Sequence, residues 1–336
     1  MSKKAFITGV TGQDGSYLAE FLLKKNYTVV GMMRRSSSFN TSRIDHIYES
    51  YPDNFDTKYG DLTDVNSLKR NIDEVAPDEI YNLGAQSHVG VSFNLAENTL
   101  INNSISTINI LEIIRQRKSK CKFYQASSSE MFGLTPPPQN ENSQFDPQSP
   151  YAISKISSFH STKYYRRAFG LFAANGILFN HESPRRGLNF LTRKVTYNLA
   201  KIIAGKIKSI ELGNLSARRD WGFAGDYVEA MWKILDYKEP EDFVISTDQI
   251  HSAEDFVKTC FEIVGLDWKK FVKINSKKYL RPAEVPQLMG DSSKARKLLG
   301  WKAKIKFHEL CRMMVESDLK IFSISLEKAK EIAKKL

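Results

Sequence analysis

The chain has 336 residues, of which 41% are hydrophobic, 26% charged and 11% aromatic. These proportions are ordinary for a folded globular protein, and they exclude wholesale disorder, a collagen-like repeat and a membrane bundle. No stretch approaches the roughly 18 apolar residues that a membrane-spanning helix needs, so we expect no membrane partner.

Basic residues outnumber acidic ones, which gives a net charge of +11. Such a balance is compatible with a nucleic-acid binder. The lysines are scattered, however, and no basic run or nucleic-acid module is present, so we favour a solvated surface and expect no nucleic-acid partner. The cysteines, Cys121, Cys260 and Cys311, are odd in number and lack metal-ligand spacing. They predict reduced thiols, a cytoplasmic protein and no metal site.

Strand-like and helix-like segments alternate through the first half of the chain. The predicted strands are 5–9, 27–34, 78–84 and 122–128, and the predicted helices are 16–25, 64–75 and 99–116. Thr63 or Asp64 is the expected cap of the second helix. Strands alternating with helices imply right-handed βαβ units. We therefore predict an α/β fold of the Rossmann type, with a doubly wound, mostly parallel sheet.

The second half begins after a loop at 134–150 that is rich in proline and asparagine. A helix is predicted to open at Tyr151, and later segments predict a buried strand at 171–180, a helix at 189–205 and a solvated basic helix at 325–336. We expect the Rossmann domain to comprise 1–180, with segments around 222–250 returning to it. Residues 181–336 would form mainly a smaller C-terminal lobe that is interleaved with the first, because no linker separates the two.

Three glycines follow the first predicted strand, at Gly9, Gly12 and Gly15. Glycines between a strand and a helix allow the backbone to approach a pyrophosphate that rests on the helix N-terminus. They also serve ordinary turns. The strand–turn–helix context favours a dinucleotide site.

The end of the second predicted strand indicates which dinucleotide is bound. A site for NAD carries an acid there, about 20 residues beyond the glycines. This chain instead has two guanidinium groups and two hydroxyls, those of Arg34, Arg35, Ser36 and Ser37. They suit the 2′-phosphate of NADP, although a solvated loop is the plain alternative. Asp61 and Leu62 fall where such folds hold the adenine, and Asp61 is equally an acid at a helix start.

Four residues form a candidate chemical centre. Tyr151 and Lys155 lie four residues apart on one helix face, and a nearby ammonium is expected to lower the pKa of the tyrosine so that it can take a proton from a sugar hydroxyl. Ser128 and Glu130 follow a strand at its carboxyl end, where ligands bind in parallel sheets. Taken one at a time, the serine could be a helix cap, the glutamate a surface residue and the tyrosine a packing residue.

Several stretches match those of one known family, in the same order and along nearly the whole chain. They are TGVTGQDGSYLAEFLL, RRSSSFNTSRI, YGDLTD, IYNLGAQSHV, FYQASSSEMFG, SPYAISK, FAANGILFNHESPRRG, LGNLSARRDWG and DYVEAMW. In these stretches the chain resembles the extended short-chain dehydrogenase/reductases, and most closely the GDP-mannose 4,6-dehydratase family. The resemblance implies that Tyr151 deprotonates the C4 hydroxyl of a GDP-sugar while hydride passes to NADP. Lys155 would tune Tyr151 and hold the nicotinamide ribose. Ser128 would bind the same hydroxyl, and Glu130 would take the C5 proton.

The resemblance also implies binding residues. For NADP they are Gly9, Thr11, Gly12, Gln13, Asp14, Gly15, Arg34, Arg35, Ser36, Ser37, Asp61, Leu62, Leu83, Gly84, Ala85, Gln86, Ser87, Lys155, His181 and Arg186. For the GDP-sugar substrate they are Ser87, Ser128, Glu130, Tyr151, Asn180, Lys194, Arg219, Arg281 and Glu284. Without the resemblance, His181 is a satisfied loop residue, and Arg219 is equally a structural partner of Asp220.

The resemblance further implies a homotetramer or a dimer, with loop 34–43 reaching a neighbouring subunit. Two departures stand out: Asn98 replaces a tyrosine near the cofactor, and region 265–280 is shorter than in many members. Close relatives accept GDP-manno-heptose, so the sugar stays open. The alternatives are another nucleotide-sugar epimerase or reductase on the same fold, a binding protein without chemistry and a nucleic-acid binder.

Overall fold

The structure, a computed structural model, describes residues 2–118, 120–275 and 282–336. Its strands in chain order are β1 (Lys4–Thr8), β2 (Thr28–Met33), β3 (Phe55–Tyr59), β4 (Glu79–Asn82), β5 (Lys122–Ser128), β6 (Ala173–Leu178), β7 (Asn180–Glu182), β8 (Ile210–Leu212), β9 (Arg218–Arg219), β10 (Trp221–Phe223), β11 (Phe243–Ile245), β12 (His251–Ser252), β13 (Val272–Ile274) and β14 (Gln287–Leu288). Its α-helices are α1 (Gln13–Leu23), α2 (Asp45–Ser50), α3 (Val65–Val75), α4 (Val89–Ser92), α5 (Ala96–Leu100), α6 (Ser106–Gln116), α7 (Pro150–Phe169), α8 (Leu191–Ile203), α9 (Ala224–Asp236), α10 (Ala253–Val264), α11 (Ser293–Leu299), α12 (Phe307–Ile321) and α13 (Leu326–Ala333).

A seven-stranded sheet in the order β11-β6-β5-β4-β1-β2-β3 organises the molecule. Every neighbouring pair in it is parallel, which confirms the doubly wound prediction. Ile7 of β1 aligns with Gly31 on one side and Tyr81 on the other. The carboxyl ends of β1, β4 and β5 therefore meet at one edge of the sheet, and the candidate site lies at this edge.

Both faces of the sheet are buried. Along β1, Ala5 and Ile7 pack into a core with α1 and α9, whereas Phe6 between them packs into a core with α3 and α6. Successive side chains of a strand point to opposite faces, so a continuous apolar run fits a strand covered on both sides. Asp64, rather than Thr63, caps α3 by accepting a hydrogen bond from the Asn66 N–H.

The long helix predicted at 99–116 is wrong in detail. The helical segment begins at α5, passes through a π-helical stretch at Ile101–Ile105 and continues as α6. The first helix also begins earlier than predicted, at Gln13. π-helical turns inside α-helices are uncommon and occur frequently at functional sites. This stretch carries Asn103, which contacts the candidate site.

A separate apolar core joins α8, α10, α12 and α13. The terminal helix is not merely solvated, because Leu326, Ala329 and Ala333 are buried in this core while its lysines face outward. The chain returns to the main sheet between these helices: α9 packs against α1, and β11 pairs with β6. Within the described ranges, no helix is long and apolar enough to cross a membrane.

Candidate functional site

The glycine loop joins β1 to α1 in a tight backbone turn. Gly9 has a φ of +73°, and a Cβ at Gly9 would lie 2.8 Å from the Gly84 Cα. A Cβ at Gly15 would lie 2.3 Å from the Gly9 carbonyl oxygen. Gly12 is the N-cap of α1 and provides no capping side chain. The first N–H groups of α1 therefore stay open to an anion.

Three polar contacts tie this loop to the segment that follows β6. The Gln13 side chain donates to the His181 carbonyl oxygen at 3.1 Å and accepts from the Ser183 hydroxyl at 2.8 Å. The His181 ring lies 2.8 Å, through Nε2, from the Asp14 carboxylate. His181 is thus a satisfied residue at the rim of the glycine loop.

The residues expected at the adenosine ribose lie at the surface. Arg34, Arg35, Ser36 and Ser37 are exposed beyond the end of β2. Asp61 follows β3 and accepts from the Thr63 backbone N–H at 2.8 Å and its hydroxyl at 2.7 Å. Those hydrogen bonds, together with the Arg34 charge, lower the pKa of Asp61. Asp61 lies three residues before Asp64, which is the N-cap of α3.

The loop after β4, which holds Leu83, Gly84, Ala85, Gln86 and Ser87, is fixed by a polar network. Asn103 accepts from the Gln86 N–H at 2.9 Å, and its amide donates to the Gln86 carbonyl oxygen at 3.1 Å and to the Ser154 hydroxyl at 2.9 Å. The π-helical stretch thereby connects this loop to α7. Sequence reasoning missed Asn103, because it lies 17 residues beyond Gln86 and no local pattern links the two. Asn98 is exposed, and its oxygens accept from Asn102.

Tyr151 and Lys155 enter the site from the first turns of α7. Ser149 caps this helix with a 3.1 Å hydrogen bond from the Ala152 N–H, and Pro150 occupies its first position. The Lys155 ammonium donates to the Ala126 carbonyl oxygen at 2.8 Å and lies 5.8 Å from the Tyr151 ring centroid. The two side chains therefore share one face, as predicted.

The expected lowering of the tyrosine pKa is wrong. Burial raises the pKa of Tyr151 to about 12, opposed by a hydrogen bond with Ser128 and reinforced by the Glu130 charge. Burial also lowers the pKa of Lys155 to about 8, against the opposing charge of Asp14. Desolvation disfavours the charged form of each group and is the largest influence on both pKa values.

Glu130 follows β5 on a short 3-10 turn that Ser128 caps by accepting from the Glu130 N–H at 3.2 Å. Its side chain is only 12% exposed, so it is not a surface glutamate, and it lies 3.8 Å from the Arg219 guanidinium. Arg219 also donates to the Val285 carbonyl oxygen at 3.0 Å. The proposed pairing of Arg219 with Asp220 is wrong, since Asp220 accepts from the Thr247 N–H and hydroxyl instead.

The remaining substrate candidates lie on several other segments of the chain. Asn180 opens β7 opposite Trp221, Lys194 lies in α8, and Glu284 is exposed next to Val285. Arg281 lies outside the described residues. Arg186 forms a 3.0 Å ion pair with Glu182 and lies over the Phe190 ring at 3.7 Å.

Two arginines that the sequence did not single out support the cofactor side. Arg43 donates to the Arg185 carbonyl oxygen at 2.7 Å and to the Thr11 carbonyl oxygen at 3.3 Å. Arg193 donates to the Arg186 carbonyl oxygen at 3.1 Å. The two Arg43 contacts join segments that are 142 and 32 residues apart in the sequence, so no local pattern marks them.

These features fit a dinucleotide. The glycine loop offers uncovered backbone that any Cβ at Gly9 or Gly15 would obstruct, and the uncapped start of α1 offers N–H donors to a diphosphate. In the part of the chain that the structure describes, no three histidine, cysteine or acidic side chains are grouped so as to hold a metal ion.

The chain is similar in sequence and in fold to known proteins. The model of a family described as GDP-mannose 4,6 dehydratase matches residues 6–314. The chain is 53% identical to GDP-mannose 4,6 dehydratase 2 of Arabidopsis thaliana over 95% of its own length and 87% of that protein. UDP-glucuronic acid 4-epimerase from Bacillus cereus, in complex with UDP-glucuronic acid and NAD, has a TM-score of 0.83 at 22% identity, covering 95% and 99% of the two chains. RMD from Pseudomonas aeruginosa, complexed with NADPH, has a TM-score of 0.79 at 20% identity, covering 95% and 100%.

Proposed function

The chain belongs to the GDP-mannose 4,6-dehydratase family, and from that premise we propose how its residues remove one water from GDP-mannose. It is a hydro-lyase, and a nicotinamide dinucleotide is its cofactor. The observation that carries the proposal is the convergence of Ser128, Glu130, Tyr151 and Lys155 at the carboxyl ends of the central strands. The charge of Asp14, in the glycine loop, acts on both Tyr151 and Lys155, so the chemical centre adjoins the cofactor loop.

When bound, the dinucleotide would accept hydride from C4 and return it to C6 while C5 takes up a proton, so the net reaction would be dehydration. Tyr151 takes the C4 hydroxyl proton as the hydride leaves, and Ser128 holds that hydroxyl by a hydrogen bond. The Lys155 ammonium, 5.8 Å from the Tyr151 ring centroid, favours the phenolate that this proton transfer needs.

Glu130 performs the step that distinguishes a dehydratase from an epimerase. The C4 ketone acidifies C5, and the Glu130 carboxylate takes the C5 proton. The C5–C6 double bond forms as the C6 hydroxyl leaves, and Glu130 donates its proton to that hydroxyl to release water. A carboxyl group that is largely buried, and so shielded from bulk solvent, suits this shuttle.

NADP is the dinucleotide that we propose. Arg34 and Arg35, with Ser36 and Ser37, stand beyond β2 where a site for NAD carries an acid. Their guanidinium groups and hydroxyls are donors for a 2′-phosphate. Of the two solved structures compared above, one contains NAD and the other NADPH, so the preference for NADP comes from this chain's own residues.

We assign GDP-mannose binding mainly to the lobe of 181–336, which has a core of its own. Arg219, whose guanidinium lies 3.8 Å from the Glu130 carboxylate, is its proposed phosphate-binding residue beside the chemical centre. Asn180, Lys194, Arg281 and Glu284 complete the set taken from the family resemblance. A cytoplasmic location accords with Cys121, Cys260 and Cys311, which are buried thiols rather than disulfides.

We also propose a homo-oligomer. Phe39 in loop 34–43 is 82% exposed, and Ile101, Ile105 and Ile153 are exposed on adjoining helical segments. Exposed apolar side chains grouped on adjoining segments, as these three isoleucines are, are typical of interaction surfaces. Light scattering of Phe39→Ser and Ile105→Glu variants should show smaller particles than the wild type. Unchanged mass in both would refute an interface at these sites.

Mass spectrometry of nucleotide sugars tests the reaction. GDP-mannose and GDP-manno-heptose are offered separately with catalytic NADP and no reductant, and we expect GDP-mannose to lose one water without net NADPH accumulation. Glu130→Gln should halt turnover after C4 oxidation, leaving reduced cofactor visible by its near-ultraviolet absorbance. Tyr151→Phe should stop both the C4 oxidation and the loss of water. Tyr164→Phe, on the exposed side of α7, should change neither of these two steps. Full turnover by Glu130→Gln would favour an epimerase or reductase.

A further inference from the structure

Asp14 is an unexpected residue for an anion-binding loop. It is the second residue of α1, beside the N–H groups that would receive a diphosphate. A carboxylate at a helix N-terminus is favourable by itself. Next to a bound diphosphate, however, it would repel that ligand, because like charges in a site shielded from water interact strongly. The loop therefore requires a group that neutralises Asp14.

His181 is placed to be that group. Its Nε2 lies 2.8 Å from the Asp14 carboxylate, and its Nδ1 lies 2.7 Å from the Phe179 carbonyl oxygen. Both partners are acceptors, so both ring nitrogens must carry a proton for both hydrogen bonds to exist. The geometry thus requires an imidazolium. The two side chains are only 12% and 23% exposed, which limits screening by water.

The surrounding charges agree with an ion pair. Burial lowers the pKa of His181, but the charge and hydrogen bond of Asp14 outweigh it and raise this pKa above its ordinary value. Arg186 opposes the imidazolium from the loop after β7, and Tyr227 of α9 stacks on the ring with centroids 4.6 Å apart. Burial alone would raise the pKa of Asp14. The interactions with His181, Gln13 and Arg186 outweigh burial and bring this pKa below its ordinary value.

Asp14 also acts on groups across the site. Its charge opposes deprotonation of Lys155 and of the tyrosines Tyr151 and Tyr124. A change in the net charge of the pair therefore reaches the chemical centre as well as the glycine loop.

We propose that Asp14 and His181 form a charge-neutral latch that holds the glycine loop against β7 and lets the loop accept the cofactor diphosphate. This inference rests on the proposed function, since it concerns the same dinucleotide. His181 acts here as a positioning residue through Asp14, beyond any direct contact with the cofactor. Loss of its proton would leave the Asp14 carboxylate uncompensated, so cofactor affinity falls as the pH rises through the raised pKa of His181. By linkage, bound cofactor raises that pKa further.

The test is calorimetric binding of NADP, without GDP-sugar, between about pH 6 and pH 9. We expect His181→Gln to raise the Kd about tenfold at neutral pH, the equivalent of one pKa unit of coupling. Asp14→Asn/His181→Gln should recover affinity to within about threefold of wild type, because the repelling charge is gone. His46→Gln is the matched control: His46 pairs with Glu20 of the same helix α1, at the surface, and its loss should change nothing.

Failure to rescue the His181→Gln variant by Asp14→Asn would overturn the latch, since His181 would then act through direct contact alone. Histidine NMR titration gives a second readout that needs no cofactor. The wild-type His181 resonance should titrate above the ordinary histidine value and move down in Asp14→Asn, and a wild-type pKa at or below the ordinary value would also overturn the latch. A wild type that binds neither NADP nor NAD would instead refute the proposed function, and the latch with it.

Discussion

Replacing Asp318 by alanine should both destabilise the protein and weaken the cofactor site. Asp318 lies on α12 with its side chain fully buried. Its carboxylate accepts from Arg193 Nε at 2.8 Å and from the Thr196 hydroxyl at 2.6 Å. The same Arg193 guanidinium donates to the carbonyl oxygens of Pro184 and Arg186, beside the cofactor loop. Asp318 therefore holds Arg193, which in turn holds this segment.

The magnitude follows from the burial of the pair. Removing one partner of a buried ion pair leaves the other charge uncompensated and costs about 3–5 kcal/mol. For a chain of this length unfolding as one unit, about 4 kcal/mol corresponds to a fall in Tm of about 6 °C. Asp318→Asn keeps the shape and the Thr196 hydrogen bond, so it should cost less. Thermal and urea unfolding measure the stability, and calorimetry measures the Kd for NADP.

The matched control is Glu316→Ala on the same helix. Glu316 pairs with Arg312 at 2.7 Å, but the two side chains are 36% and 57% exposed. Exposed pairs contribute about 0–1 kcal/mol, so this variant should unfold almost as the wild type does. If Asp318→Ala cost no more than Glu316→Ala, the argument from burial would be wrong. Unchanged NADP affinity in a folded Asp318→Ala protein would refute the link to the cofactor loop.

Three further predictions concern the site itself. Gly15→Ala should abolish measurable dinucleotide binding while the circular dichroism spectrum stays native, because the new Cβ would lie 2.3 Å from the Gly9 carbonyl oxygen. Wild-type affinity in this variant would show that the glycine loop can shift to accommodate the Cβ, and would contradict the prediction. Activity should fall as the pH rises through about 8, where Lys155 loses its ammonium. The same deprotonation favours the folded state, because the pKa of Lys155 is lower in the folded than in the unfolded protein. The loss of activity should therefore not be accompanied by unfolding, which is monitored in parallel. Arg34→Ala should weaken NADP binding by about 2 kcal/mol and leave NAD binding unchanged in a competition assay, as expected for a lost hydrogen bond to a charged phosphate. An equal loss of affinity for both dinucleotides would refute the 2′-phosphate contact.

The sheet was accessible to sequence reasoning because its signals are local. Apolar runs such as the one around Phe6 mark strands covered on both faces, and the helices between them impose parallel pairing. Ser149 and Pro150 mark the start of α7 for a similar reason, since both act within one turn. The π-helical stretch at Ile101–Ile105 carries no such signal, and the sequence predicted a continuous helix there.

The sequence by itself determined the fold class, the glycine loop and the identity of the candidate catalytic side chains, because each is defined by neighbours within a few residues. Only the tertiary structure decided their electrostatic states. Asp14 and His181 are 167 residues apart, and Arg193 and Asp318 are 125 apart, so no spacing rule joins them. Burial reversed the expected direction for the pKa of Tyr151. The desolvation of a side chain depends on everything folded around it, and that environment exists only in the complete tertiary structure.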